Sequence, residues 1–482
     1  MKLSGVIKCL SLTGSIMFCS GSLLASDQWA MHQANSAHTG YIPATINVSD
    51  ITFRWKKKLS SAPLSPLTAA NGLIFVADPG YFGIQHLYAL RKNGTLAWGK
   101  AYANIFSVNP PSYADGIVYV QTGNSSPGTF LRAFSAVNGN VVFQSPHAAQ
   151  WEHYLSPTIY NGTVYINGGS YGGMYSFAGI TGHQNWFYSG LPQVDGWTPA
   201  VDDKWAYSSI EGILYVVDRL TGKPVFKIDS GNGANPVPML GGANDVFVLD
   251  GGMITKFNTI TRKIAWQKIY NFGEDFTGQP ALANGVIYAG TNLGRLVAIS
   301  QTTGNILWSW KNVANDSVQN NIVITKSHAF LGTANKVFCI DLKTHQSVWS
   351  YAASGYLALA ESGLYVGSQD GTLTAFKLGV ADLFAPSHSN FGPIVALTTK
   401  SIAVGIKNVG DKSLSVNDIV SDSSIFSVET APTSFILAPG EAKLINVSFT
   451  PSATGVFKGN LKIHSDDQNE PELIVKLQGR GI

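Results

Sequence analysis

At 482 residues the chain is too long for one ordinary hydrophobic core, so it must divide into domains or repeat a smaller unit. Charged residues make up only 13% of it, against 50 glycines and 11% aromatics, which excludes a disordered chain and suits many short strands and turns. The formal charge of +3, with Lys56-Lys57-Lys58 as its basic run, gives no electrostatic footprint for nucleic acid.

In chain order, the first element is a leader. Lys2 and Lys8 flank the start of a mostly apolar stretch that carries no charge from Cys9 to Ser26 and ends in small residues before Asp27. This is the pattern of a secretory signal peptide over residues 1–26, cut near Ala25 or Ser26. Losing the two lysines lowers the charge from +3 to +1. The stretch is short and broken by Gly and Ser, so a retained membrane anchor is not expected, and no later segment is long and apolar enough to span a bilayer. Lipid attachment at Cys19 is the minor alternative, poorly served by the bulky Phe18 before it. Once Cys9 and Cys19 have left, Cys339 stands alone in the apolar run Val337-Phe338-Cys339-Ile340, where an inert core thiol is expected. Export without disulfides points to a bacterial periplasmic or secreted protein. Sequons at Asn47, Asn93, Asn124, Asn161, Asn315 and Asn446 fall in a turn-rich chain and carry little weight.

After a lead-in over 27–49, a unit of roughly forty residues repeats over 50–379. In Gln279–Trp310 an Asn-Gly turn precedes Val286–Gly290, a Gly294 turn precedes Leu296–Ile299, and a Thr303-Gly304 turn precedes a run ending at Trp308. The aromatic of the first run recurs at Phe75, Tyr119, Tyr165, Tyr207, Phe247, Tyr288, Phe330 and Tyr365. The terminal aromatic recurs at Trp98, Phe143, Trp186, Phe226, Trp266, Trp308 and Trp349. Each follows an Asn or Thr by five residues: Asn93, Asn138, Thr181, Thr221, Thr261, Thr303 and Thr344. Eight copies of the first run thus meet seven of the last, and the missing one stands at the front as Ile51-Thr52-Phe53-Arg54-Trp55. The spacing predicts an all-β, eight-bladed β-propeller closed by that N-terminal strand, which joins the blade holding Tyr365 and Phe376. Its tryptophans are expected to pack between blades.

The pieces N-G-x-(V/I)-Y, L-x-A and T-G-x-x-x-W resemble the quinoprotein-like (PQQ-like) repeat, and Trp29–Tyr41 looks like the segment that precedes such propellers. The resemblance implies the fold but spreads across quinone-dependent alcohol and sugar dehydrogenases, an outer-membrane assembly factor of the BamB kind, and binding proteins. After a linker over 380–390, residues 391–482 carry Asn408-Val409-Gly410, Leu437-Ala438-Pro439-Gly440-Glu441, Val447–Pro451 and Leu461–Asp466. This order is similar to the ASPM–SPD-2–Hydin (ASH) type of immunoglobulin-like β-sandwich, whose members serve as spacers or adhesive modules.

Chemistry is sparse. The chain has no Cys-Cys pair, no C-x-x-C-H haem signal, no H-E-x-x-H and no phosphate loop. No catalytic residue and no metal ligand is expected, and no cofactor. Loops joining successive blades should gather on one face, bringing Trp151, Glu152, Asp195, Trp197, Glu274 and Asp275 to one candidate binding rim, with Asn315-Asp316 and Gln319-Asn320 beside it. The acidic turn with Asp466, Asp467, Glu470 and Glu472 reads as a solvated hairpin. The leading expectation is an exported, non-catalytic scaffold whose propeller face binds a protein or cell-envelope component. Two alternatives stay open: a quinone-dependent oxidoreductase with an atypical site, using PQQ and Ca²⁺, and a carbohydrate- or surface-binding adhesin.

Overall fold

Glycine and asparagine turns break each repeat into short strands that can pair only with their chain neighbours, and so each repeat folds as an antiparallel meander. In one unit Phe276–Ala283, Val286–Thr291, Arg295–Ser300 and Ile306–Lys311 pair in that order. The computed structural model describes residues 28–482 except 45, 47, 81–82, 125–127, 151–152, 232, 234, 243, 271–272, 380 and 468–469. The expected leader, with Cys9 and Cys19, lies outside the described residues. Within them, residues 52–377 form six sheets of four or five strands and one of eight, in which Gln279 and Asn321 bridge two meanders in parallel.

The first strand of each meander is the most buried and faces the axis. Tyr356–Ala360 touches both Val318–Ile324 and Thr68–Ala70, so the order of sheets returns on itself. Closure comes from the N-terminus. Thr52–Lys58 pairs antiparallel with Thr372–Lys377, setting Trp55 opposite Ala375 in the sheet that also holds Gly363–Gly367 and Tyr356–Ala360. The result is a β-propeller.

The repeated aromatic and the repeated turn belong to one contact. The Trp98 ring lies under Gly139 of the following sheet, and its Nε1 donates to Ala136 O at 2.7 Å. Trp55 does the same beneath Gly94, donating to Lys92 O at 2.7 Å, and Trp186 beneath Gly222, donating to Arg219 O at 3.1 Å. Each indole thus buries its faces between sheets and satisfies its one polar atom on the neighbour's turn. Two turns carry another residue in the glycine's place, still left-handed: Arg262 (φ 55°) and His345 (φ 59°). Both cover the preceding aromatic with a side chain instead. The Arg262 guanidinium lies 5.0 Å from the Phe226 centroid, and His345 stacks on Trp308 at 4.3 Å. Cys339 is a buried free thiol, and burial pushes its pKa up.

The C-terminal β-sandwich has two sheets. One orders Leu383–Phe384, Lys400–Asn408, Ala442–Phe449 and Phe426–Val428; the other orders His388–Ile394, Glu472–Gly481, Gly455–Ser465, Leu414–Ser421 and Phe435–Leu437. Phe391, Phe426 and Phe449 meet at its centre with centroids 4.9–5.4 Å apart. The sandwich begins earlier than the linker expectation placed it, because Leu383 and Phe384 already pair with Asn408 and Lys407. Asp467 is also not a solvated turn residue. It is 2% exposed, and its Oδ2 accepts from Leu383 N at 2.7 Å, pinning that first strand. Lys377 Nζ reaches Asp411 Oδ2 at 2.5 Å, tying the last propeller strand to the sandwich.

Candidate functional site

The lead-in has no repeat pattern and, among the described residues, no strand of its own, yet its backbone is bonded to one inner strand after another. Trp29 exchanges two hydrogen bonds with Ala69, and Ala30 O accepts from Tyr113 N. Further on, Ser36 O accepts from Val201 N, Ala37 O from Leu240 N, Thr39 O from Leu282 N and Gly40 O from Ile324 N, all at 2.7–2.8 Å. Contacts taken up in chain order by successive sheets mean that this segment circles the axis. The polar groups that it buries there are satisfied by the exposed edges of the inner strands. Gln33, Ala34 and His38 hold left-handed backbones (φ 48°, 73° and 57°) to make the bends.

Two histidines sit inside this loop, with centroids 4.9 Å apart and rings edge to face. His38 Nδ1 lies 3.0 Å from Pro238 O, and Nε2 lies 3.2 Å from Thr158 Oγ1, so the neutral tautomer donates at Nδ1 and accepts at Nε2. Burial holds His38 well below its ordinary 6.5, with neighbouring His32 adding to the effect and the Pro238 carbonyl opposing it. Burial likewise lowers His32 to about 4, against the opposing pull of Gln279. Both rings are therefore neutral near neutral pH.

Beside His32 a cavity of about 170 Å³ opens where the inner strands begin. The interblade loops lead into those strands, so the cavity lies at the mouth of the axis on the loop face. Trp29, Leu67, Leu155 and Leu357 contribute its apolar wall; His32, Gln33, Gln279, Asn320, Asn321 and Tyr356 contribute its polar atoms. Among the described residues no Lys, Arg, Asp or Glu lines it, and no three His, Cys, Asp or Glu side chains converge to hold a metal ion.

The expected rim is thinner than its sequence suggests. Trp151 and Glu152 lie outside the described residues. Trp197 is 2% exposed, packed with Tyr165, Trp186 and Val201 between sheets, so it is a core residue and not a rim residue. Glu274 is also buried. Its carboxylate accepts from Thr291 Oγ1 at 2.5 Å and pairs with Arg295 Nη2 and Lys311 Nζ, each at 3.2 Å. Asp195 and Asp275 are exposed, at the ends of loops entering Ala200–Val201 and Phe276–Ala283. Asp195 accepts from the His153 amide at 3.2 Å, while the Asp275 amide donates to Asn292 Oδ1 at 3.1 Å. Of the fourth loop, Asn320 reaches the cavity. Trp29, His32, Gln279 and Tyr356 had no signal as site residues. The one hint was the polar, aromatic character of a lead-in outside the repeat.

A model of the family described as outer membrane protein assembly factor BamB matches residues 44–186 and 178–379. A model of a HYDIN/CFA65/VesB-like, Ig-like domain matches 383–480. The dehydrogenase subunit of an alcohol dehydrogenase (quinone) from Gluconobacter oxydans (strain 621H) is 31% identical over 98 residues, 18% of this chain and 13% of that protein. Lupanine 17-hydroxylase (cytochrome c) from Pseudomonas sp is 25% identical over 125 residues, 23% of this chain and 18% of that protein. The chain thus spans less than a fifth of the length of these curated relatives. Among solved structures, a europium-containing methanol dehydrogenase superposes with a TM-score of 0.58 at 14% identity, covering 73% of this chain and 98% of its own. BamB from Moraxella catarrhalis superposes with 0.51 at 19% identity, covering 68% and 98%. At such identities the likeness is one of fold.

Proposed function

Because the chain belongs to the family of the outer membrane protein assembly factor BamB, we propose that it is an exported, non-catalytic binding protein whose propeller face holds another macromolecule of the cell envelope. The observation that carries this reading is the filled axis: residues 29–40 occupy the centre of the ring, bonded from Ala69 round to Ile324. Pyrroloquinoline quinone is a polycarboxylate and calls for cationic partners. Its Ca²⁺ calls for a shell of oxygen ligands that includes carboxylates. The axial cavity offers neither among the described residues, and both nearby histidines are neutral. Its residues do not fit the quinone, so no redox step is derived through it.

In this reading the eight-stranded sheet is two adjoining blades, which brings the count to eight with Thr52–Lys58 as the closing strand. Interblade loops present Asp195 and Asp275 around the axial mouth, and the sandwich from Leu383 onward serves as an adaptor. The chain acts in the periplasm or outside the cell. No helix among the described residues is long and apolar enough to cross a membrane. The test is direct. Purified protein is given pyrroloquinoline quinone and Ca²⁺, and bound-cofactor absorbance and dye-linked alcohol oxidation are recorded. Neither is expected, and the appearance of both overturns the reading. Asp195→Lys with Asp275→Lys should weaken capture of the envelope partner that the wild-type chain cross-links.

A further inference from the structure

One sheet of the C-terminal sandwich carries its charge unevenly. Along Glu472–Gly481 alternate residues turn inward, so Leu473, Val475 and Leu477 enter the core while Glu472, Ile474, Lys476, Gln478 and Arg480 face out. The neighbouring strand Gly455–Ser465 sets His464 opposite Glu472, Asn460 opposite Lys476 and Lys458 opposite Gln478. On the other side His388 and Asn390 stand beside Lys476 and Gln478. Where Glu472 lies the charges are matched: His464 Nε2 is 2.9 Å and Lys462 Nζ 4.0 Å from its carboxylate. Further along, Lys458, Lys476 and Arg480 form no ion pair among the described residues. Lys476 and Arg480 flank Gln478 two places to either side, so both are diagonal neighbours of Lys458, about 7–8 Å away in sheet geometry. Asp422, at the border of this face, is already held by Asn460, whose backbone N and Nδ2 each donate to its carboxylate at 2.7 Å. Residues 381–482 hold eight Lys and Arg against ten Asp and Glu, so the cationic cluster comes from placement and not from composition.

The same strands end in exposed aliphatic side chains. Val456 stands opposite Arg480 and is 60% exposed. The loop after His388–Ile394 is tied to the end of the Arg480 strand, Ala396 N donating to Ile482 O at 3.0 Å, and it exposes Val395 and Leu397. Leu397 is 78% exposed and holds a left-handed backbone (φ 66°), its N–H donating to Pro451 O at 2.8 Å. That conformation is costly for a bulky residue, and water offers an exposed leucine no compensation. We propose that this end of the sandwich docks on the surface of an anionic phospholipid bilayer. Unpaired cations on an open sheet face suit a plane of phosphate-bearing headgroups. A groove of about 330 Å³ runs between Lys458, Lys476 and His388, where the Asn390 and Gln478 amides add further donors for one headgroup. The aliphatic end supplies what a soluble polyanion would not use, side chains that can enter the boundary between headgroups and acyl chains. This inference concerns the sandwich and stands apart from the reading of the propeller, whose failure to capture a partner would leave it untouched.

The experiment floats the chain from Asp27 onward, so that no apolar leader contributes, with vesicles of phosphatidylcholine alone or with about 30% phosphatidylglycerol. Partition onto the anionic vesicles should exceed that onto phosphatidylcholine at least about tenfold, and should fall as salt rises from about 0.05 to 0.5 M. Each cation near such a surface is worth about fivefold, so the combined Lys458→Gln, Lys476→Gln and Arg480→Gln variant should bind about a hundredfold more weakly. Leu397→Gly relieves the left-handed side chain, so it should keep the fold while weakening binding about 3–10-fold. Lys407→Gln, at an exposed lysine of the other sheet, should stay within about twofold of wild type. The inference is overturned if phosphatidylcholine alone holds the chain as well, or if the triple variant floats like wild type. It is also overturned if soluble polyglutamate binds as tightly as the vesicles and Leu397→Gly changes neither, which would mark the face as a site for an acidic protein segment.

Discussion

Gly139 and Gly162 share a φ of 71°, and only one of them covers an indole. A Cβ on Gly139 would stand 2.7 Å from Trp98 Cδ2 and 2.9 Å from Cε3, whereas a Cβ on Gly162 would meet nothing within 4 Å. Alanine at either position bears the left-handed backbone, about 1–2 kcal/mol, lessened by about 0.4–1 kcal/mol from the stiffer unfolded chain. Gly162→Ala should therefore cost about 1 kcal/mol or less. Gly139→Ala adds overpacking, about 1–3 kcal/mol, because Trp98 is held by its bond to Ala136 O and cannot swing away. The expected difference is about 2 kcal/mol. Urea unfolding followed by tryptophan fluorescence measures it, and at an m-value of about 3 kcal/mol/M the two midpoints should differ by about 0.7 M. Equal midpoints would refute the claim that the turn glycine makes room for the ring, leaving backbone conformation as its whole purpose.

Three further outcomes follow from the same packing. His345→Gly removes a stack on Trp308 but relieves a left-handed side chain, so stability should stay within about 1 kcal/mol of wild type in the same urea assay. Glu274→Gln should cost about 2–3 kcal/mol, since it leaves Arg295 and Lys311 without their shared carboxylate, while the exposed Asp275→Asn should stay within about 0.5 kcal/mol. Burial raises the Glu274 pKa, but Thr291, Arg295 and Lys311 together hold it below 4.5; its contribution is therefore full above that pH and fades as acid takes the carboxylate through its lowered value. His147 is pushed down by burial to about 4, its Nε2 accepting from Gln121 Nε2 at 3.3 Å and its Nδ1 facing Ala148 O at 3.1 Å. Because the unfolded chain takes up that proton near pH 6.5, wild-type stability should fall between pH 6.5 and 4 by up to about 3 kcal/mol from this residue, and His147→Gln should show a shallower pH–stability curve.

The propeller was legible because its determinants are local and repeated. A turn, an apolar alternation and an aromatic at fixed spacing recur in each unit, and the orphan strand around Trp55 pointed to the sheet of Tyr365. The site was not, for three separate reasons. Trp197 and a solvent-facing loop tryptophan look alike in sequence; what buries Trp197 is the neighbouring sheet with Trp186 and Val201. Glu274 reads as an acidic loop residue until Arg295 and Lys311, on the third and fourth strands of the meander that follows it, fold back onto it. The lead-in has neither period nor propensity, because its backbone bonds go to six separated places in the chain, and the His38 side chain to a seventh, instead of to a neighbour.

The two closures of the ring also explain why the candidate site should exist only in the finished fold. Thr52–Lys58 must find Thr372–Lys377 from the far end of the propeller, and such long-range pairing is entropically costly to form early. Tyr356 and Leu357, which line the cavity, belong to that same closing sheet, whereas Trp29 and His32, which also line it, belong to the lead-in just ahead of the closing strand. The segment that plugs the axis and the strand that locks the ring are thus one continuous stretch of chain. Docking either one raises the local concentration of the other at its partner. The cavity beside His32 is therefore complete only once both ends of the propeller chain have docked.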